Sequence, residues 1–270
     1  LNILVCGDVV GKSGREAIAA HLPGLRRDLE LDVAIVNAEN AAHGFGLNEK
    51  LAGELYECGA DILTTGNHVW DQRELIQQID RDPRILRPAN FPPGTPGQGT
   101  RLNALADGRQ VLVVNLMGRL FMEQLDCPFR GLDAILAGCS LGSGTAIVLD
   151  FHAEASSEKN AMGHFADGRV SAVIGTHTHV PTADNRILAG GTAYQTDAGM
   201  CGDYDSVIGM QKAASVRRFV TKMPGQKPQV SEGEGTLCGV FIVTDDATGL
   251  ARRIEPVRVG GQLGAQVPRM

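Results

Sequence analysis

Five short apolar stretches of this 270-residue chain end in residue types that hold metal ions. Asp8 follows "ILVCG", Glu39 and Asn40 close "VAIVNAEN", Asn67 and His68 lie in "DILTTGNHVWD", His152 follows "AIVLDF", and "SAVIGTHTHV" carries His177 and His179. Imidazole, carboxylate and amide donors together suit manganese, iron or zinc, whereas an all-oxygen set would suit magnesium or calcium. His177 and His179 stand two apart, so on an extended strand they would share a face. Where a strand turns into a loop, they could serve two different ions. Each segment alone has an ordinary explanation: Asp8 as a loop aspartate, Asn67 and His68 as a polar turn capping a helix that begins near Asp71. Together those explanations require five independent coincidences, and a shared metal pocket requires none.

The first stretch also invites a nucleotide-loop reading, because Gly7 is followed by Gly11-Lys12-Ser13. A phosphate-binding P-loop needs four residues between its first glycine and the Gly-Lys pair, so that backbone N–H groups can wrap a phosphate. Only Asp8, Val9 and Val10 intervene. Asp8 is therefore expected to carry the chemistry and Lys12 to be a solvated surface residue.

The elements that must position these residues are legible as apolar runs at 3–6, 33–36, 61–64, 110–116, 145–150, 170–174, 192–195 and 240–244. Continuous runs of this length suit strands buried on both faces. Apolar positions three and four apart predict helices over 15–29, 48–58 and 71–79. The strand–helix–strand order predicts a layered α/β fold with a parallel sheet, whose ligands gather at the carboxyl ends of the strands. Residues 87–107, dense in Pro and Gly, are expected to form a long surface loop joining two halves of one domain spanning 1–270. "FIVTDDATGLARRIEPV" predicts a hairpin turning at residues 246–249. The tail beyond Gly260 is polar and expected to be loose.

Composition narrows the function classes. A formal net charge of −6, with 21% charged and 43% hydrophobic residues, fits an ordinary soluble enzyme and gives no support to binding a nucleic-acid backbone. Six cysteines without a C-x-x-C pair read as buried free thiols in a reducing compartment. Neither a basic leader with an apolar stretch nor a membrane-span-length run is present, so a cytoplasmic location and no membrane partner are expected. His21 and His164 are expected in surface or packing roles, while His43, in a Gly-rich loop three residues after Asn40, could enter the pocket. Phe45, Trp70, Phe129 and Tyr204 are candidates for stacking on a base, although packing is the preferred reading of each.

Gly7-Asp8, "GNH" at 66–68, the solitary His152 and "GTHTH" at 175–179 resemble the ordered signature of the calcineurin-like metallophosphoesterases. More closely, "GDVVGKSGR", "NAENAAHGFGL", "TTGNHVWD", "TDAGMCGDYDSVIGM" and "EGTLCGVF" resemble the YmdB-like bacterial phosphodiesterases across nearly the whole chain. The sequence departs from the broad superfamily pattern twice. Asp8-Val9-Val10 replaces the usual Asp-x-His, and Glu39-Asn40 stands where a bridging aspartate is usual.

The resemblance to the YmdB-like group implies an α-β-β-α sandwich. It implies that Asp8, Glu39, Asn40 and His179 hold one metal ion, that Glu39, Asn67, His152 and His177 hold a second, and that Asn40 replaces the missing histidine. Iron is the foremost implied metal, with manganese or zinc also acceptable to this ligand set. It further implies a small 2′,3′-cyclic nucleotide or related phosphodiester as substrate, opened at the 2′ ester by a metal-activated hydroxide to leave a 3′-nucleotide. His68 is the implied general acid. Homo-oligomerisation is possible on this reading. The alternatives are a P-loop nucleotidase, a non-catalytic protein of the same fold, and a metal-dependent amidohydrolase, in which the H-x-H pair would lie near the start of the chain.

Overall fold

The structure, a computed structural model, describes residues 1–223, 225 and 228–269. Strands β1 (Asn2–Cys6) and β2 (Asp8–Val9) lead into helix α1 (Gly11–Asp28), followed by β3 (Val33–Asn37), α2 (Glu49–Glu57), β4 (Ile62–Thr64) and the short α3 (Leu75–Gln78). Next come β5 (Thr100–Ala104), β6 (Gln110–Met117), α4 (Pro128–Leu136), β7 (Thr145–His152), α5 (Ser156–Ala166) and β8 (Ala172–Thr176). The chain then adds β9 (Arg186–Ile187), β10 (Ala193–Gln195), β11 (Met200–Cys201), α6 (Lys212–Thr221), β12 (Leu237–Thr244) and β13 (Ala251–Val259).

Two sheets form the centre, one ordered β13-β12-β1-β3-β4 and the other β5-β6-β7-β8-β10-β9. Alternation of side chains along each strand explains why they stack. In β1, Ile3 and Val5 face the second sheet, where they meet Val111, Val113, Val148 and Ile174. Leu4 and Cys6 point the other way, into a layer with Ile18 and Leu22 of α1 and Leu55 of α2. The second sheet repeats the logic, sending Val114, Ile147, Leu149 and Phe151 outward to Leu132 of α4 and Met162 of α5. Both faces of both sheets are therefore buried, and the chain is an α-β-β-α sandwich. A one-residue register slip in β1 would exchange its two sets of partners, so burial fixes the register.

The sheets are mixed where the sequence predicts a parallel one. β1 pairs in parallel with β3 but antiparallel with β12, and β5 is antiparallel to β6. The late antiparallel pair β12–β13 fills the edge beside β1, turning as expected at the residues before Gly249. The helix expected over 71–79 shrinks to α3 and a 3-10 turn at Ile79–Arg81, because residues 67–74 form turns at the site.

Residues 87–107 are no loose surface loop. They contain β5, and the buried Asn90 bonds Met117 through both ends of its amide, replacing ladder bonds that the neighbouring prolines cannot make. The tail also folds back: Arg258 and Gln266 exchange backbone hydrogen bonds of 2.7 and 2.9 Å, and of the residues after Gly260 only 270 lies outside the described ones. Cys6, Cys201 and Cys238 are buried free thiols, whereas Cys58, Cys127 and Cys139 are only partly buried. Among the described residues no helix is long and apolar enough to cross a membrane.

Candidate metal centre

The parallel strands β1, β3 and β4 of one sheet and β7 and β8 of the other end at the same edge of the sandwich. Asp8 opens β2, directly opposite Met200 of β11. Gly7 permits that approach, since a Cβ there would lie 1.9 Å from the Gly199 carbonyl oxygen. Glu39 and Asn40 follow β3, Asn67 and His68 follow β4, His152 is the last residue of β7, and His177 and His179 follow β8.

His177 and His179 both have positive φ, 98° and 66°. L-residues hold that conformation only where surrounding contacts enforce it. Here the His177 N–H donates to Asp8 Oδ2 (3.1 Å), while Thr178 donates through its N–H and hydroxyl to Asp197 Oδ2 (3.1 and 2.8 Å). Beneath them the fully buried Lys159 ammonium donates to the Thr176 carbonyl and to Asp197 Oδ2, both at 2.7 Å. Tyr204 adds a third brace, its hydroxyl lying 3.1 Å from the His179 carbonyl oxygen.

The ring nitrogens facing the centre follow from the bonds behind them. Thr176 gives its only hydroxyl proton to Asp150 Oδ1 (2.7 Å), so it must accept from His152 Nδ1 at 2.9 Å. His152 Nε2 is thereby turned to the centre. His179 Nδ1 donates to the Ile208 carbonyl (2.9 Å), which turns its Nε2 inward as well. His177 Nε2 lies 3.0 Å from Glu154 Oε2, leaving Nδ1 inward.

Around His152 Nε2 stand Asn67 Oδ1 at 3.0 Å, Glu39 Oε1 at 3.1 Å and His177 Nδ1 at 3.1 Å. With the amide and rings so oriented all three are acceptors, an arrangement that favours a positive charge at its middle. Without a metal a proton fills that role: burial would lower the His152 pKa, but the carboxylates of Glu39, Asp8 and Asp150 hold it up at about 9. Glu39 responds in the opposite sense, held down at about 2 by His152 against the upward push of its own burial. Burial and the neighbouring His152 charge push His177 down to about 3, keeping it neutral. Burial also lifts the Asp8 carboxyl to about 6, against the attraction of His179 and His152.

Glu39, His152 and His177 offer ligand atoms close enough to share one ion. A second group adjoins them. Asn40 Nδ2 lies 3.1 Å from Glu39 Oε1 and 3.2 Å from His179 Nε2, while among the described residues the buried Asp8 Oδ1 and Asn40 Oδ1 have no hydrogen-bond partner. A buried oxygen without a partner costs roughly 1–3 kcal/mol, and a cation would satisfy Asp8 Oδ1 in place and Asn40 Oδ1 once its amide is turned. The donor chemistry therefore fits two metal ions sharing Glu39. Gly66 closes the site from below, where a Cβ would fall 2.2 Å from His152 Cδ2 and 2.4 Å from Glu39 Oε2.

His68 sits at the rim. Its N–H donates to Glu39 Oε2 (3.2 Å), its Nδ1 is 2.8 Å from Asp71 Oδ2, and its ring meets Phe45 edge-on with centroids 5.1 Å apart.

The model of the YmdB-like protein family matches residues 4–257. The chain belongs to that family. This YmdB-like chain is 48% identical over 259 residues to a 2′,3′-cyclic-nucleotide 2′-phosphodiesterase of Bacillus subtilis, covering 96% of this chain and 97% of that protein. It is 36% identical to a putative phosphatase/phosphodiesterase of Mycoplasma genitalium, over 96% of this chain and 93% of the other. A solved structure of a novel phosphatase from Mycoplasma pneumoniae superposes with a TM-score of 0.89 at 35% identity, covering 96% of this chain and 93% of that one. A hypothetical protein from Thermus thermophilus superposes with a TM-score of 0.90 at 40% identity, over 97% and 100% of the two chains.

The remaining sequence candidates of this YmdB-like chain occupy varied positions. His43 and His164 are exposed, and His21 lies beside Gly260. Lys12 is 64% exposed and pairs with Glu16 at 3.6 Å. Trp70 stacks edge-on with Phe91 and Phe129 with Phe165, Tyr204 braces the His179 loop, and Phe45 meets His68 edge-on. Residue type and spacing do not single out Asp71, Asp150, Glu154, Lys159, Thr176 or Asp197, which the fold brings to or behind the site. A signal existed for two of them: Asp150 interrupts an apolar strand two residues before His152, and Asp197 lies in the quoted "TDAGM".

Proposed function

We propose that the chain, acting as one domain over residues 1–270, is a dinuclear-metal phosphodiesterase that opens 2′,3′-cyclic nucleotides at the 2′ ester and leaves 3′-nucleotides. The observation that carries this reading is the set of acceptors around His152 Nε2, a geometry that favours a cation. One ion would rest on Glu39, Asn67, His152 and His177. The other would rest on Asp8, Glu39, Asn40 and His179, with the Asn40 amide turned so that its oxygen takes the place of its nitrogen, two orientations that differ only in which atom is labelled O. Iron suits this mixed donor set, as do manganese and zinc. Held by these residues, two such ions would supply Lewis-acid chemistry toward water and the phosphate charge.

The chain's own groups do the rest. Glu39 spans both halves and keeps them in register. Asp71 accepts from His68 Nδ1 and leaves Nε2 free to protonate the departing 2′ oxygen. An alkoxide leaves poorly, so an acid placed there is worth about 10²–10⁴-fold in rate. Phe45 limits the swing of the His68 ring from one side. The six cysteines, none of them in a disulfide, support work in the reducing cytoplasm.

His68→Ala tests the reading. The variant is expected to keep both metal ions by elemental analysis while turnover of 2′,3′-cyclic AMP falls by about 10²–10⁴-fold. Undiminished turnover would remove His68 from the acid role.

A further inference from the structure

Glu154 follows β7 by two residues, outside the proposed ligand set, and its side chain is 50% exposed. Among the described residues its carboxylate has a single partner, the Nε2 of His177 at 3.0 Å. The His177 backbone is already fixed, by its left-handed φ and by its N–H bond to Asp8. What remains open is the ring proton, which can sit on Nε2 or on Nδ1. The two settings are chemically different. With Nε2–H donated to Glu154, the Nδ1 lone pair faces His152 Nε2 and the Glu39 side. In the reverse setting an N–H would point into a cluster that needs lone pairs.

We infer that Glu154 is the positioning residue that selects the His177 tautomer and holds its Nδ1 toward the centre, an inference that rests on the metal reading above. His152 and His179 are turned inward by buried or backbone acceptors, Thr176 and the Ile208 carbonyl. His177 alone depends on a solvent-exposed side chain. Its ion is consequently the one whose retention a surface substitution can weaken without touching the core. Carboxylates behind metal-binding histidines are worth about 10–100-fold in metal affinity.

The test uses the full-length chain loaded with manganese(II) and titrated with a competing chelator, free manganese being read by electron paramagnetic resonance. Glu154→Ala is expected to lose one of its two manganese ions at 10–100-fold lower chelator concentration than the wild type. Glu154→Gln, whose amide oxygen still accepts from Nε2–H, should stay within about threefold of the wild type. Because Glu154 is exposed, the thermal midpoint of the metal-free alanine variant should match the wild type, which separates this effect from misfolding. Equal retention by wild type and Glu154→Ala would overturn the inference, and so would equal weakening by both variants, since charge alone would then explain it. Should the wild-type chain hold no manganese, the dinuclear reading itself fails. Histidine 15N shifts of the same chain then decide on the tautomer: Nε2–H in the wild type and a mixture in Glu154→Ala support the role of Glu154, and identical shifts refute it.

Discussion

Replacing Lys159 with Met should destabilise the chain by about 3–5 kcal/mol, the cost of leaving one partner of a buried ion pair without the other. Lys159 is 1% exposed and Asp197 0%, so water cannot compensate the stranded carboxylate. Asp197 would keep three other donors, the Thr178 N–H, the Thr178 hydroxyl and the Gly199 N–H, which places the expected loss near the lower end of that range. The two Thr178 donors belong to the loop that presents His177 and His179, so metal retention should fall together with stability. Equilibrium urea denaturation of the metal-free chain measures the first effect, and chelator competition measures the second. The double variant Lys159→Met/Asp197→Asn should regain at least about 1 kcal/mol over Lys159→Met, because the uncompensated charge is gone. A single-variant loss within about 0.5 kcal/mol, the range of ordinary surface substitutions, would refute the claim that this pair anchors the site.

Gly66→Ala should cost about 1–3 kcal/mol by overpacking and about 10²-fold in turnover, since the new methyl group must displace the His152 ring and the Glu39 carboxylate. Gly53→Ala in α2, where a Cβ meets nothing within 4 Å, should instead stabilise by about 0.5–1 kcal/mol in the same denaturation assay. Lys12→Ala should leave turnover unchanged while Asp8→Asn loses it, and the opposite pattern would revive the nucleotide-loop alternative.

The strand ends were legible because each combines two signals. A run such as "AIVLDF" has no solvent-facing positions, which marks a strand covered on both sides, and the polar residue that ends it has no packing reason to be there. The sandwich has the same origin: Ile3 and Val5 serve one layer and Leu4 and Cys6 the other, so continuous hydrophobicity records two covered faces. The antiparallel partners were not legible. β12 meets β1 across more than 200 residues of chain, and an apolar strand reads alike in either direction. Asn90 illustrates a different gap. Its proline-rich surroundings resemble a loop, and only the three-dimensional contact with Met117 reveals that its amide substitutes for a strand. Glu154, Lys159 and Asp71 act through partners rather than on the centre itself, and nothing in a helix or turn composition distinguishes such a residue from a solvated one.

The central claim is that this edge of the sandwich hydrolyses one particular ester of a cyclic phosphate under metal control. Metal-loaded chain incubated with 2′,3′-cyclic AMP, with products separated by chromatography, tests it most directly. Formation of 3′-AMP that stops on chelation and returns on adding manganese or iron is the predicted result. Release of 2′-AMP, or hydrolysis that survives complete removal of metal, would contradict it.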